Sequence, residues 1–133
     1  MWVASKHGFF SIVQKGPNEW HVRARVKQDL ENLFRAADYR RIDLSIKEWP
    51  KADYRFRVIV GKAVVAKLFV ALAESIDYKN FKEQIGDLPD QKDKLSAYGN
   101  IWSMMYHFQP WEPDEDDWKD LRGAGDDPWS LRS

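Results

Sequence analysis

The stretch Trp20-His21-Val22-Arg23-Ala24-Arg25-Val26 alternates without a break, and its reading decides the fold. In an extended strand, Trp20, Val22, Ala24 and Val26 fall on one face, and His21, Arg23 and Arg25 fall on the other. Upstream, Phe9 to Lys15 is rich in Phe, Ile and Val and reads as a strand. Gly16-Pro17-Asn18 is a turn signal, so the two strands form a hairpin. Trp2 to Lys6 reads as a further short strand, broken from the next by Gly8.

Downstream, the period changes. Leu30, Leu33, Phe34 and Ala37 follow helical spacing over residues 27–38. Residues 42–48 alternate again, with Ile42, Leu44 and Ile46 on one side. Trp49-Pro50-Lys51-Ala52-Asp53 is a loop. In the next strand, residues 54–60, Tyr54, Phe56, Val58 and Val60 face one way and Arg55, Arg57 and Ile59 the other. Gly61 ends it, and Lys62 to Ser75 is a strongly apolar helix. Asp77 is placed to cap a short helix that runs to Ile85, with Gly86 ending it. A last helix runs from beyond Leu88-Pro89-Asp90 to about His107.

This order gives two strand–strand–helix units. The expectation is an α+β domain over residues 1–109, with a four-stranded, mainly antiparallel sheet and its helices on one face. Handedness rules put the strands at 20–26 and 54–60 side by side and parallel at the centre, with 9–15 and 42–48 at the edges. The element order resembles a permuted ferredoxin-like sandwich with an extra C-terminal helix. Periodicity stops at Gln109, and an acidic segment, 110–133, forms a tail.

The chain has 133 residues and a formal net charge of zero. That zero conceals an asymmetry. Residues 110–133 carry eight acids and three bases, which leaves 13 acids and 18 bases to residues 1–109. A basic body joined to an acidic tail is a pattern of nucleic-acid contact or of an interaction tail. With no Cys, disulfide scaffolds, Cys-ligated zinc and thiol chemistry are excluded. No apolar run of about 18 residues offers a membrane span. The first residues lack the apolar run of a signal peptide, so the expected location is cytoplasmic.

Met1-Trp2-Val3 with Lys6, Gly8-Phe9-Phe10-Ser11, residues 22–26, 53–57 and 75–82, and Trp102-Ser103-Met104-Met105-Tyr106 form a distinctive set. Over residues 1–108 the set resembles a family of small bacterial proteins with no assigned function. The resemblance implies a bacterial or phage-related soluble protein. It brings no activity, cofactor or catalytic residue.

The candidate site is an arginine face. Arg23, Arg25, Arg55 and Arg57, joined by His21, project from neighbouring strands to the side opposite the helices. Like charges at that spacing are destabilising, and Arg cannot shed its proton. Something anionic must compensate: nucleic acid or an acidic protein surface, local acids such as Asp43, Glu48 or Asp53, or the acidic tail itself. RNA-binding sheets of this type stack bases on outward aromatics. Here the outward positions are Arg, and Tyr54 and Phe56 are expected in the core, which argues for phosphate contact without base stacking. The second candidate is the tail, where Trp111, Trp118 and Trp129 stand among acids as a partner-binding motif. No catalytic or metal-binding constellation is legible, since His7, His21 and His107 are isolated, and no cofactor is implied. Two functions follow. One is a non-enzymatic protein that binds an anionic partner through its Arg face, the tail masking that face. The other is an adaptor or inhibitor acting through the tail and helices. A homodimer with exchanged tails is a third arrangement.

Overall fold

The computed structural model describes residues 1–110. The alternation at its centre forms β3 (Glu19–Ala24), which buries Val22 and Ala24 on one face. β3 pairs with β2 (Gly8–Gly16) across a turn in which Asn18 takes a left-handed φ of 51°, a conformation that Asn tolerates. β1 (Trp2–Ser5) adds to the outer side of β2. On the other side of β3 lies β5 (Phe56–Val60), and beyond it the two-residue β4 (Lys47–Glu48). The strand order is β1-β2-β3-β5-β4, with every pair antiparallel.

The fold is therefore α+β with an antiparallel sheet, but of five strands rather than four. The edge goes to β1, and β2 is interior. β3 and β5 are neighbours as expected, yet they run antiparallel. The reason lies in the connections. Helix α1 (Lys27–Ala36) carries the chain back, β4 runs in the direction of β3, and the 49–55 loop then reverses it into β5. The expected strand at 42–48 is mostly a 3-10 turn at Ile42–Leu44, closed by a Ser45 N–H to Ile42 carbonyl bond of 2.8 Å. Ile42 and Ile46 both pack against the core. A turn brings residues four apart to one side, so their apolar spacing is met without an extended strand.

Helix α1 and helix α2 (Lys62–Glu74) cover one face of the sheet. Leu30, Leu33 and Phe34 from α1 and Val65, Leu68 and Leu72 from α2 close on Phe10, Ile12, Val22, Ala24 and Val58. Two polar contacts fix the helices to the hairpins. Asn18 Oδ1 accepts the Lys62 N–H at 2.9 Å, at the start of α2. The buried Asp29 of α1 accepts the Phe9 N–H at 3.2 Å, beside Gly8, whose φ is 155°.

Residues 80–110 belong to a second compact unit. Its α3 (Phe81–Asp87) is capped by Asn80, not Asp77, through a Glu83 N–H to Asn80 Oδ1 bond of 3.0 Å. The helix continues through Gly86. A 3-10 turn at Lys92–Lys94 leads into α4 (Leu95–Tyr106). The Phe81 and Tyr98 rings lie 5.2 Å apart between α3 and α4. Among the described residues no helix is long and apolar enough to cross a membrane.

Candidate functional site

Antiparallel pairing puts partner residues on the same face of a sheet. The register aligns Trp2 with Ser11, Ser11 with Arg23, Arg23 with Arg57, and Arg57 with Lys47. One transverse row on the face away from α1 and α2 thus reads Trp–Ser–Arg–Arg–Lys. The next row brings Val13, His21 and Ile59 together. Three cations on adjacent strands repel one another, and the surroundings answer in two ways.

The first answer is hydrogen bonding. Arg23 donates from Nη2 to Ser11 Oγ at 2.6 Å. Arg57 donates from Nη1 to His21 Nδ1 at 3.1 Å. A guanidinium can only donate, so Nδ1 of His21 is an acceptor and its ring proton sits on Nε2. Burial, and then the Arg57 charge, push the His21 pKa below its ordinary value of 6.5, with Glu19 opposing. The ring is neutral at pH 7, with Nε2 3.8 Å from the Glu19 carboxylate, too far for a hydrogen bond. Burial and the Arg23 charge likewise disfavour the Arg57 cation, partly offset by Asp53.

The second answer is aromatic. The 49–55 loop closes with the Trp49 N–H donating to the Arg55 carbonyl at 2.6 Å. It lays Trp49 over the Arg57 guanidinium, 3.9 Å from carbon to ring centroid. The Tyr54 ring receives Arg23 at 4.7 Å and Arg25 at 4.2 Å. π-faces attract cations by their quadrupole and so stabilise this cluster without a carboxylate.

The expected site residues therefore separate. His21, Arg23 and Arg57 come together, and Arg25 joins them through Tyr54. Arg55 does not belong. Its Nε lies 3.5 Å from the Glu48 carboxylate, and its guanidinium leans toward the Phe56 ring at 5.8 Å. Tyr54 is buried as expected, but its neighbours are not those its place in the alternation suggests. β5 starts at Phe56, so its alternation does not extend to Tyr54, which is buried against arginines rather than within the apolar cluster. Of the local acids proposed as compensators, Glu48 alone forms an ion pair with an arginine of this group, Arg55, among the described residues. Trp111, Trp118 and Trp129 lie outside the described residues.

Three buried N–H groups on this face have no hydrogen-bond partner among the described residues: Nε2 of His21, Nε of Arg23 and Nε of Arg57. Leaving a buried donor unsatisfied costs about 1–3 kcal/mol, more when it is charged. These three donors belong to three neighbouring side chains, and no carboxylate forms an ion pair with either arginine among the described residues. Trp49, Tyr54 and Ser11 carry no direct sign of membership in the sequence, since two sit in a loop and one is a lone hydroxyl. Among the described residues no group of three or more His, Asp or Glu could hold a metal ion. An apolar recess of about 280 Å³ between Val3, Phe69, Leu72, Ile76 and Tyr78 lacks a comparable set of donors.

No family model, curated protein or solved structure matches this chain.

Proposed function

We propose that this chain is a non-enzymatic binding protein whose sheet face, built on His21, Arg23, Arg25 and Arg57, engages an anionic partner: nucleic acid or an acidic protein surface. The observation that carries this reading is Arg23 set opposite Arg57, with no carboxylate ion pair to either among the described residues. A bound phosphate or carboxylate would accept charge-assisted hydrogen bonds from the partly exposed Arg23 and the exposed Arg25. It would also neutralise the repulsion between Arg23 and Arg57. The acidic residues of 110–133 fit the role of a competitor for the same face. The order β2-β3-β5-β4, with helices after β3 and β5, supports reading the sheet as a permuted ferredoxin-like arrangement extended by β1.

The test is heparin binding by the full chain across a range of salt. Replacing Arg23, Arg25 and Arg57 with Gln is expected to abolish binding while the far-ultraviolet spectrum and melting curve stay those of a folded domain. Asp114, Asp116 and Asp117 changed to Asn should raise heparin affinity if the tail competes. Unchanged binding by the arginine variant refutes the reading.

One observation favours the adaptor alternative. Ile101, Met104, Met105 and Phe108 are all exposed, and their spacing puts them on one side of α4 and its extension. A partner protein gripping that stripe together with the tail tryptophans would lose affinity on Met104→Glu, whereas heparin binding would not change.

A further inference from the structure

The arginine face also carries aromatic surface that an anion does not need. Trp2 is 75% exposed and Trp49 is 43% exposed. Both belong to the face of Arg23 and Arg57, Trp2 through the register and Trp49 through its stacking on Arg57. They stand near opposite edges of the sheet, since Trp2 is in β1 and Trp49 directly follows β4. At about 4.8 Å per strand, the row from β1 to β4 is roughly 19 Å wide. Phe9 lies beside Trp2, with rings 6.4 Å apart. The guanidiniums of Arg23, Arg25 and Arg57 lie between these aromatic ends.

We infer that the occupant of this face is single-stranded nucleic acid, with unpaired bases stacking on the outer faces of Trp2 and Trp49 and the intervening phosphates meeting Arg23 and Arg25, while the buried Arg57 backs Trp49. The inference rests on the anion-binding reading and narrows it. A row of cations with aromatic faces along its length is the combination by which sheet surfaces hold single strands. One face of Trp49 is already taken by Arg57, so a base on the other completes an arginine–indole–base stack. A duplex keeps its bases stacked inside and offers Trp2 and Trp49 no π-face. An acidic peptide supplies charge but nothing for two indoles this far apart. With stacking and phosphate contact supplying the binding, sequence preference is weak.

The experiment uses the full chain and a fluorescent oligothymidylate of about ten nucleotides, within the site sizes such grooves take. The comparison probes are a base-free deoxyribose-phosphate oligomer of equal length and a duplex. Thymidylate is expected to bind more tightly than either. Trp2→Ala weakens thymidylate binding by about 5- to 150-fold and leaves the base-free oligomer unaffected, and Trp49→Ala weakens thymidylate binding more than that of the base-free oligomer. Trp2→Phe retains most of the affinity. Because Trp2 is so exposed, Trp2→Ala keeps the domain folded and carries the test even if Trp49→Ala loosens the loop. Equal binding of thymidylate and the base-free oligomer, insensitive to either Trp→Ala change, overturns the inference and leaves the anion-binding reading intact. So does tighter binding of the duplex. Absence of binding to every probe at low salt overturns both.

Discussion

Arg23 and Arg57 face each other across the β3–β5 pairing, and among the described residues no carboxylate forms an ion pair with either. A sheet that only had to be stable would place opposite charges, or none, at such a pair. Ser11, His21, Trp49 and Tyr54 hold the two guanidiniums in place without cancelling their charge.

Removing one charge separates stability from binding. Arg23→Gln relieves a like-charge contact worth about 0.2–1 kcal/mol but gives up the Ser11 hydrogen bond and one cation–π contact of similar size, so its urea midpoint should stay close to that of the wild type while heparin affinity falls. A variant that unfolds more readily and binds as before would reverse this assignment.

Arg55 is the internal control. It is spoken for by Glu48 and lies outside the cluster. Arg55→Gln should leave heparin affinity within about twofold, and stability within about 1 kcal/mol as for other exposed pairs. A loss equal to that of Arg57→Gln would mean that the face extends beyond the cluster described.

His21 gives the site a pH dependence of known sign. Its pKa is lowered in the folded chain by burial and by Arg57. The unfolded chain therefore takes up the proton first as pH falls. The contribution of neutral His21 to stability is complete above pH 6.5 and is lost as pH drops from there through the lowered folded value. A bound anion favours the imidazolium, so affinity should rise over the same window. Proton NMR titration of His21 should give a midpoint below 6.5 that moves upward with saturating heparin. A midpoint at or above that value in the free protein would contradict the hydrogen bond from Arg57 to Nδ1.

Tyr54 tests the aromatic half of the arrangement. It is buried and takes two guanidiniums on its ring. Tyr54→Leu keeps apolar bulk but loses both cation–π contacts, with an expected cost of about 0.5–2 kcal/mol in urea unfolding. Equal stability would show that the ring serves as filler only.

Gly8 tests the join between the first hairpin and α1. A Cβ at Gly8 would lie 2.3 Å from the Asp29 Cβ, and its φ of 155° is one that side chains avoid. Gly8→Ala should destabilise the domain by about 1–3 kcal/mol, as overpacking does elsewhere, measured by thermal melting.

Much of this fold is legible in the sequence. Val22 and Ala24 set against His21 and Arg23 define the two faces of β3, and Val58 against Arg57 does the same for β5. The helical stripes at Leu30, Leu33 and Phe34 and at Val65, Leu68 and Leu72 identify α1 and α2. Strand direction is not legible, because alternation reports faces and says nothing of polarity. Ile42 and Ile46 mislead, because residues four apart suit both a strand and a turn. The composition of the site is legible only in part. Arginines mark a strand face by their period, but Trp49 and Tyr54 reach that face through a loop whose path no period encodes. Arg55 looks equivalent to Arg57 for the same reason: it sits just outside the strand that makes alternation meaningful.

The most direct measurement of the central claim is oligonucleotide affinity against salt for the wild type and for the Arg23→Gln, Arg25→Gln double variant. Every phosphate that the protein no longer neutralises should lower the salt slope by about one. The account predicts steep, linear weakening for the wild type and a slope smaller by about two, with lower affinity, for the double variant. Identical affinity and slope in the two proteins would contradict it.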